Sequence, residues 1–305
     1  EEALQLFEEP VEEVAQAADE IREKFCGNGF DICTIINGKS GRCSENCKFC
    51  AQSAHYDTGC AEVYDLLPTE EILKEAKYND DQGVLRYSIV TSGKRLTDAE
   101  LEQVCDSIRK IKEETNIEVC FSFGLLNEEQ LRKVREAGAT RAHCNLETSR
   151  RYFPEICTTH TYDQKIETLK AAVAAGLSIC SGGIMGLGET IEDRVDMVFT
   201  VKELGVKSVP VNFLNPIPGT PFEGNTPLTE EEARQCVAVF RFIIPDASIR
   251  LAGGRGLLGD KGKECFQSGA NAAISGDMLT TAGITVQKDM EMLEELGYKP
   301  ELWED

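Results

Sequence analysis

The sequence predicts an α/β fold, namely a single (β/α)8 barrel of the TIM type with an N-terminal helical extension. Short apolar or β-branched runs alternate with amphipathic, charge-rich stretches eight times, and such alternation is typical of parallel sheets with helical crossovers. No Gly-x-Gly-x-x-Gly follows the first strand, which disfavours a dinucleotide-binding sheet. An open doubly wound sheet shares the alternation and remains the alternative, since it differs only in closure.

Each element follows from the local pattern. Hydroxyl residues followed by acids, at Thr69 and Thr229, indicate helix starts, and Gly176 and Gly205 stand where helices should end. The predicted strands are 33–37, 86–91, 118–123, 140–145, 178–184, 208–214, 248–251 and 272–274. The clearest predicted helices are 98–114, 127–136, 162–175, 191–204 and 229–243.

One domain is expected, because no Pro/Gly/Ser-rich linker divides the chain. It comprises a helical extension (1–30), the barrel (31–285) and a C-terminal helix and tail (286–305). No apolar run approaches the roughly 20 residues that cross a bilayer, and the acidic first residues do not resemble a presequence. A cytoplasmic protein is therefore expected.

Charge and cysteine content narrow the function. The chain of 305 residues carries 32 basic and 53 acidic side chains, a net charge of −21. This surplus of acid repels phosphate, so neither nucleic acid nor a membrane surface is an expected partner. Thirteen cysteines, an odd number, occur without a secretory signal. In a reducing compartment such thiols suggest metal binding or catalysis, and they predict oxygen sensitivity and an anaerobic setting.

Three cysteines stand together directly after the first predicted strand. Cys43, Cys47 and Cys50 have the spacing C-x3-C-x2-C, and thiolates are the ligands that iron–sulfur clusters prefer. Three ligands leave one iron of a [4Fe–4S] cluster open to a substrate or cofactor. A zinc site would need a fourth ligand at matching spacing, and neither His55 nor Cys60 completes a familiar pattern.

The loop resembles the signature of the radical S-adenosylmethionine (SAM) enzymes. Several longer strings, in order along nearly the whole chain, resemble the biotin synthases within that superfamily. They include residues 47–54 (CKFCAQSA), 145–149 (NLETS), 180–190 (CSGGIMGLGET) and 208–212 (SVPVN). The resemblance implies that the reduced cluster cleaves SAM to a carbon radical, which abstracts hydrogen from two unactivated carbons of dethiobiotin. A second, auxiliary iron–sulfur cluster then donates the inserted sulfur.

The resemblance also implies roles for single residues. Cys43, Cys47 and Cys50 hold the radical-generating cluster, and Phe49 and Ile184 lie beside SAM. Glu147 binds the ribose hydroxyls, where the family usually has aspartate. The remaining matches are two asparagines facing cofactor and substrate and two hydroxyls near the substrate carboxylate: Asn145, Asn212, Thr280 and Thr281. Without the resemblance, an asparagine that ends a strand would be expected to cap the following turn.

The auxiliary cluster is where the sequence departs from the family. Cys120, Cys180 and Arg250 match three of its usual ligands, but the strand-two position holds Ser88, a poor iron ligand. Cys33 is the preferred replacement, because side chains from alternate strands form one interior layer. Cys144 is the reserve; if Asn145 faces inward, Cys144 should point towards the helices. A cubane-like auxiliary cluster is hypothesised instead of the family's usual [2Fe–2S].

Two other functions remain open. A related radical SAM enzyme that catalyses a rearrangement or matures a cofactor would need no sulfur-donor cluster. A non-enzymatic electron carrier would need neither so large a barrel nor an open iron. For the preferred function the expected partners are flavodoxin or ferredoxin as electron donor, iron–sulfur assembly proteins, and a second copy in a homodimer.

Overall fold

The computed structural model describes residues 1–303, and within them ten parallel strands carry the fold. In chain order they are β1 (Gly29–Lys39), β2 (Arg86–Thr91), β3 (Glu118–Ser122), β4 (Arg141–His143), β5 (Ser178–Cys180), β6 (Gly183–Met185), β7 (Ser208–Phe213), β8 (Ser248–Leu251), β9 (Ala272–Ser275) and β10 (Lys299–Pro300). Strand β1 pairs with β2 on one side and with β9 on the other. The sheet is therefore closed, and the predicted barrel is confirmed over the open sheet.

Eleven α-helices within the described residues connect or flank the strands. They are α1 (Glu2–Gln5), α2 (Val11–Cys26), α3 (Thr69–Asp81), α4 (Asp98–Glu114), α5 (Glu128–Glu136), α6 (Phe153–Ile156), α7 (Tyr162–Ala174), α8 (Ile191–Glu203), α9 (Glu230–Ile243), α10 (Lys263–Phe266) and α11 (Val286–Leu296). The N-terminal extension thus consists of two helices, with Pro10 at the start of the second.

The residues predicted to start or end helices do so in most cases, with one exception at Thr69. Thr229 caps α9 by accepting a hydrogen bond from the backbone of Glu232, and Gly176 follows the end of α7 with a φ of 81°. Thr69, however, is not a cap: it is the first residue of α3, and its hydroxyl lies 2.9 Å from that of Ser107. The Thr69 hydroxyl forms a hydrogen bond with Ser107 of α4 and does not cap the helix as the local sequence predicted.

The fifth predicted strand, 178–184, is interrupted. It forms β5 and β6 with Ser181 and Gly182 between them. The amide N–H of Gly182 donates to Oδ1 of Asn145 (3.0 Å), and its carbonyl accepts from Glu147 (3.0 Å). These bonds replace part of the ladder and bring the chain that follows β4 against the fifth strand.

Alternation along each strand separates the core from the barrel interior. On β2, Tyr87 and Ile89 are fully buried among the apolar side chains of the core, whereas Arg86, Ser88 and Val90 line an interior cavity. Successive side chains of a strand point to opposite faces, so polar groups at every second position enter the barrel. The division into segments 1–30, 31–285 and 286–305 stays a prediction, and residues 304 and 305 lie outside the described part.

Candidate functional site

The barrel encloses a cavity of about 360 Å³ that is open towards the carboxyl ends of the strands. Active sites of such barrels are built at this end. Most of the residues that the sequence analysis selects line it: Cys33, Phe49, Cys50, Cys120, Asn145, Glu147, Cys180, Ile184, Asn212, Arg250, Thr280 and Thr281. They come from separate strands and loops, and the closure of the barrel is what brings them together.

The cysteine loop covers one side of the opening. Its backbone is closed by hydrogen bonds from Cys43 to the carbonyl of Gln52 (3.0 Å) and from Cys50 to that of Cys47 (3.0 Å). The loop starts at Gly41, whose φ of 74° suits glycine. Cys50 lines the cavity, while Cys43 and Cys47 lie farther along the loop wall. Among the described residues the three sulfurs do not all lie within 4.8 Å of one another.

Cys157, which the sequence analysis left without a role, lies against this loop. Its sulfur is 3.7 Å from that of Cys47, 3.5 Å from Oδ1 of Asn46 and 3.4 Å from Nδ1 of His160. His160 in turn bonds Glu45 at 2.6 Å. The hydrogen bond between the thiols raises the pKa of Cys47 and lowers that of Cys157. The contact between Cys47 and Cys157 could not be predicted from a local sequence pattern, because the two residues are more than a hundred positions apart.

Glu147 lines the cavity from the segment that follows β4. Burial raises its pKa, and the ammonium group of Lys165, 3.9 Å from Oε1, acts in the opposite direction. Lys165 belongs to α7 and is itself buried. The sequence analysis missed it, since its spacing is that of any lysine on an amphipathic helix. A buried carboxylate beside an ammonium group suits a ligand that carries both hydroxyl and carboxylate groups.

The two predicted asparagines, Asn145 and Asn212, hold neighbouring backbone and also line the cavity. Asn145 accepts from the backbone of Gly182, and Asn212 donates to the carbonyl of Gly183 (3.0 Å) and accepts from the amide of Gly253 (2.9 Å). Each therefore fixes a neighbouring turn, as a strand-ending asparagine was expected to do, and each also lines the cavity. The backbone bonds hold both amides in one orientation towards a ligand.

Three thiols and Arg250 form the inner part of the cavity. The three thiols are close enough to influence one another's ionisation. A charge on Cys120 raises the pKa of Cys33, and a charge on Cys180 raises the pKa of Cys120, whereas the charge of Arg250 lowers the pKa of Cys33. Burial raises the pKa of both Cys33 and Cys120. Ser88 also lines this region, whereas Cys144 does not and packs in the apolar core.

Below the thiols lies a group of three buried arginines around one aspartate. Asp31, 1% exposed, faces three arginines: Arg86 at 2.9 Å, Arg250 at 3.1 Å and Arg141 at 3.6 Å. Burial alone would raise the pKa of Asp31, but the three guanidinium groups lower it. Among residues 1–303 Asp31 is shared by these three guanidinium groups, whose charges lower the pKa of the neighbouring thiols against the larger effect of burial. The donor set and its charge thus fit a thiolate-bound, anionic cluster.

His143 lies between these two regions and was also missed. It is on β4, lines the cavity, and its Nδ1 is 3.4 Å from the sulfur of Cys180. Burial lowers the pKa of His143 to about 4. The alternation that turns Cys144 outward also turns its neighbour His143 inward, so the sequence did contain the signal for its direction.

Comparison with curated proteins decides the family. The chain is 60% identical over 305 residues to the biotin synthase of Brachyspira hyodysenteriae, covering 100% of this chain and 91% of the relative. It is 60% identical over 299 residues to the biotin synthase of Akkermansia muciniphila, with 98% and 93% covered. The chain belongs to the biotin synthase family. The expected activity, radical SAM-dependent sulfur insertion, is thereby confirmed, and a rearranging or maturing enzyme is not favoured.

Two family profiles divide the biotin synthase chain. Residues 37–201 match the Radical SAM superfamily, and residues 210–299 match the Biotin and Thiamin Synthesis associated domain. The first stretch contains the cysteine loop, and the second contains Asn212, Arg250, Thr280 and Thr281. Membership implies a [4Fe–4S] cluster and SAM as cofactors, dethiobiotin as substrate, and an electron donor. The nuclearity of the auxiliary cluster does not follow from it.

Solved structures agree on the fold. A crystal structure of methylornithine synthase superposes with a TM-score of 0.85 at 20% identity, covering 98% of this chain and 93% of that one. The FeFe-hydrogenase maturase of Carboxydothermus hydrogenoformans gives 0.83 at 17% identity, with 98% and 75% covered. At such identities the likeness concerns the barrel alone. Within residues 1–303 no helix has the length and apolarity that crossing a membrane requires.

Proposed function

We propose that the cavity of this biotin synthase holds two clusters at different depths. Cys43, Cys47 and Cys50 bind the radical-generating [4Fe–4S] cluster at the opening, and an auxiliary cluster sits between the inner thiols and Arg250. The observation that carries the proposal is the inner site itself, where three cysteines from three strands meet above three arginines and one carboxylate. An enzyme that only rearranged its substrate would have no use for such a site.

Cys33 is the proposed substitute for the thiolate absent at Ser88. It faces the cavity from β1 and is close enough to Arg250 and Cys120 for their charges to affect its pKa. Cys144 is part of the core cluster on the outer side of β4. The direction of its side chain therefore argues against the reserve hypothesis.

The chain's own residues account for binding and for protection of the reaction. Bound SAM and the reduced cluster supply the radical chemistry that attacks unactivated C–H bonds, where acid–base groups have no acidic proton to remove. Glu147 would hold the ribose hydroxyls, with Phe49 and Ile184 against the cofactor. Asn145 and Asn212 would donate to and accept from the cyclic urea of dethiobiotin, with Thr280 and Thr281 near its carboxylate. Apolar walls such as Ile35 and Val90 limit the water that could quench a radical.

The activity is tested by anaerobic turnover. Reconstituted, reduced protein with SAM and dethiobiotin should yield biotin and 5′-deoxyadenosine in mass spectra. Deoxyadenosine without a sulfur-containing product would favour the rearranging class. For the cluster type, we propose a cubane-like auxiliary cluster with a removable sulfide. Mössbauer spectra with only one [4Fe–4S] and one [2Fe–2S] cluster per chain would reject it.

The assignment of Cys33 as a ligand of the auxiliary cluster can be tested by comparing two cysteine variants. Cys33→Ala should lose roughly half of about eight irons per chain, because the auxiliary cubane would be left with two thiolates. Cys144→Ala removes a buried cysteine that lies in the apolar core outside the cavity, and it should keep the full iron content. Iron and acid-labile sulfide are measured after identical anaerobic reconstitution. Iron loss in the Cys144 variant alone would reverse the assignment.

The remaining partners are proposed on the family resemblance. Flavodoxin or ferredoxin would deliver the electrons, iron–sulfur assembly proteins would restore the donated sulfur, and the chain would form a homodimer in the cytoplasm. The net charge of −21 would shape the docking of a reductase. Sedimentation and reconstitution of turnover with each purified donor test these points.

A further inference from the structure

His143 occupies a position in the barrel that the proposed function leaves without a role. It lies on β4 and is paired in the parallel ladder with Cys180 of β5. Both side chains enter the cavity, and Nδ1 of the ring is 3.4 Å from the Cys180 sulfur. An imidazole this close to a proposed cluster ligand is within reach of the same metal centre.

The inner site is short of one strong ligand. The proposed thiolates come from Cys33, Cys120 and Cys180, which can bind three of the four irons of a cubane. Ser88 faces the same space but offers only a hydroxyl. A neutral imidazole is a good iron ligand, and in Rieske centres histidine takes positions that cysteine holds elsewhere.

Arg250, the ligand that the family resemblance suggests, is engaged in other bonds. Its Nη1 donates to the carbonyls of Asp31 (2.8 Å) and Ala273 (3.1 Å), and Nη2 lies 3.1 Å from the Asp31 carboxylate. A guanidinium group has no lone pair for a metal unless it loses a proton. Asp31 stabilises the protonated form further, so Arg250 is better suited to balance the cluster's charge than to bind iron.

We propose that His143 is a nitrogen ligand of the auxiliary cluster, alongside the thiolates of Cys33, Cys120 and Cys180. The inference rests on the proposed auxiliary cluster. It adds the fourth ligand and changes the part of Arg250 from iron ligand to charge-balancing neighbour. Since β4 and β5 are directly paired, the ligands from these two strands are held by the ladder and not by a flexible loop.

The test labels nitrogen selectively and does not depend on turnover. The full chain with Cys43, Cys47 and Cys50 all changed to alanine isolates the auxiliary cluster. It is produced with [15N]histidine or with [15N]arginine, reconstituted, reduced, and studied by pulsed electron paramagnetic resonance. A directly bound nitrogen whose coupling changes with labelled histidine, but not with labelled arginine, is the expected result.

Two variants assign the nitrogen. His143→Gln should abolish the coupling, while His160→Gln, in the outer loop region, should retain it. If the Gln variant does not fold, His143→Cys provides the second test: a fourth thiolate should keep the cluster and lower its midpoint potential, as cysteine does relative to histidine.

Each other outcome is decisive. A coupling that follows labelled arginine, or a full auxiliary cluster without any histidine nitrogen, overturns the inference and leaves the proposed function intact. Absence of iron and sulfide from the isolated inner site overturns both. An unchanged potential in His143→Cys also contradicts iron binding by this residue.

Discussion

Glu147 has a left-handed backbone, with a φ of 72°. Only a few per cent of residues other than glycine adopt this region. The amide of Glu147 donates to Gly182, and its carbonyl accepts from Ile184 at 2.8 Å. These bonds tie the residue to both sides of the strand break and turn its carboxylate into the cavity. The left-handed backbone at Glu147 thus places a buried acid in the cavity at a position where a regular strand would not.

Replacing this acid should weaken cofactor binding. Glu147→Gln keeps the shape of the side chain but removes a charged acceptor, and hydrogen bonds to charged groups contribute about 1.5–3 kcal/mol each. The dissociation constant of SAM should rise by roughly one to two orders of magnitude, measured anaerobically by equilibrium dialysis. Glu155→Gln, on an exposed part of α6, is the control and should not change it. Equal affinity in both variants would contradict the proposed role.

The same carboxylate predicts a pH dependence. Because burial raises the pKa of Glu147, protonation begins at a higher pH than for an ordinary glutamate. SAM affinity should therefore be highest above that pKa and fall as the pH is lowered through it. In Glu147→Gln this part of the pH profile should be flat. A wild-type profile that coincides with the variant's would exclude ionisation of this residue as the cause.

At the scale of elements, the interruption between β5 and β6 depends on glycine. A Cβ on Gly183 would meet Sδ of Met197 at 2.2 Å and the carbonyl oxygen of Glu147 at 2.4 Å. A Cβ on Gly182 would clash in the same way with the carbonyl oxygen of Pro210 on β7. The absence of side chains lets the segment after β4, strand β6 and strand β7 approach one another beside Glu147.

Gly183→Ala should consequently damage the site as well as the fold. The backbone of Glu147 would have to move, so we expect SAM binding to be lost or strongly reduced, together with a lower midpoint of urea unfolding. Gly224→Ala is the matched control, since a Cβ there meets nothing within 4 Å. Normal SAM binding by the Gly183 variant would show that the strand break does not position Glu147.

The elements also show what the sequence could and could not predict. Helix α4 begins and ends where hydrophobic periodicity predicts, because that periodicity reflects burial against a single surface. The break at Gly182 was not predicted, since it depends on bonds with Asn145 and Glu147 in the segment that follows β4. Among site residues, alternation correctly separated the direction of Cys144 from that of Asn145. Lys165 and Cys157 escaped because their contacts are made only by the tertiary fold.

At the scale of the whole molecule, charge is distributed unevenly. The chain carries a net charge of −21, yet the deep end of the barrel concentrates Arg86, Arg141 and Arg250 around Asp31. The C-terminal segment contributes there as well, because the carbonyl of Trp303 accepts from Arg86 (2.8 Å) and Arg141 (3.3 Å). Strand β10, paired with β1, carries this segment to the base of the barrel. The chain's end thereby supports the charged layer beneath the inner thiols.

Asp31 is the residue on which this layer depends most. Asp31→Asn would remove the carboxylate that three buried guanidinium groups share, and breaking a buried ion pair costs about 3–5 kcal/mol. The purified enzyme should unfold at a clearly lower urea concentration, measured anaerobically by circular dichroism. Asp246→Asn, which removes an exposed partner of Lys207, should change the free energy of unfolding by no more than about 1 kcal/mol.

Because the arginines lower the pKa of Asp31, the contribution of Asp31 to stability is present above the ordinary aspartate pKa and is lost as the pH falls through the lowered value. The difference between wild type and Asp31→Asn should accordingly shrink in strong acid. Equal stability of the two at neutral pH would mean that the arginines are balanced by other groups, the cluster among them.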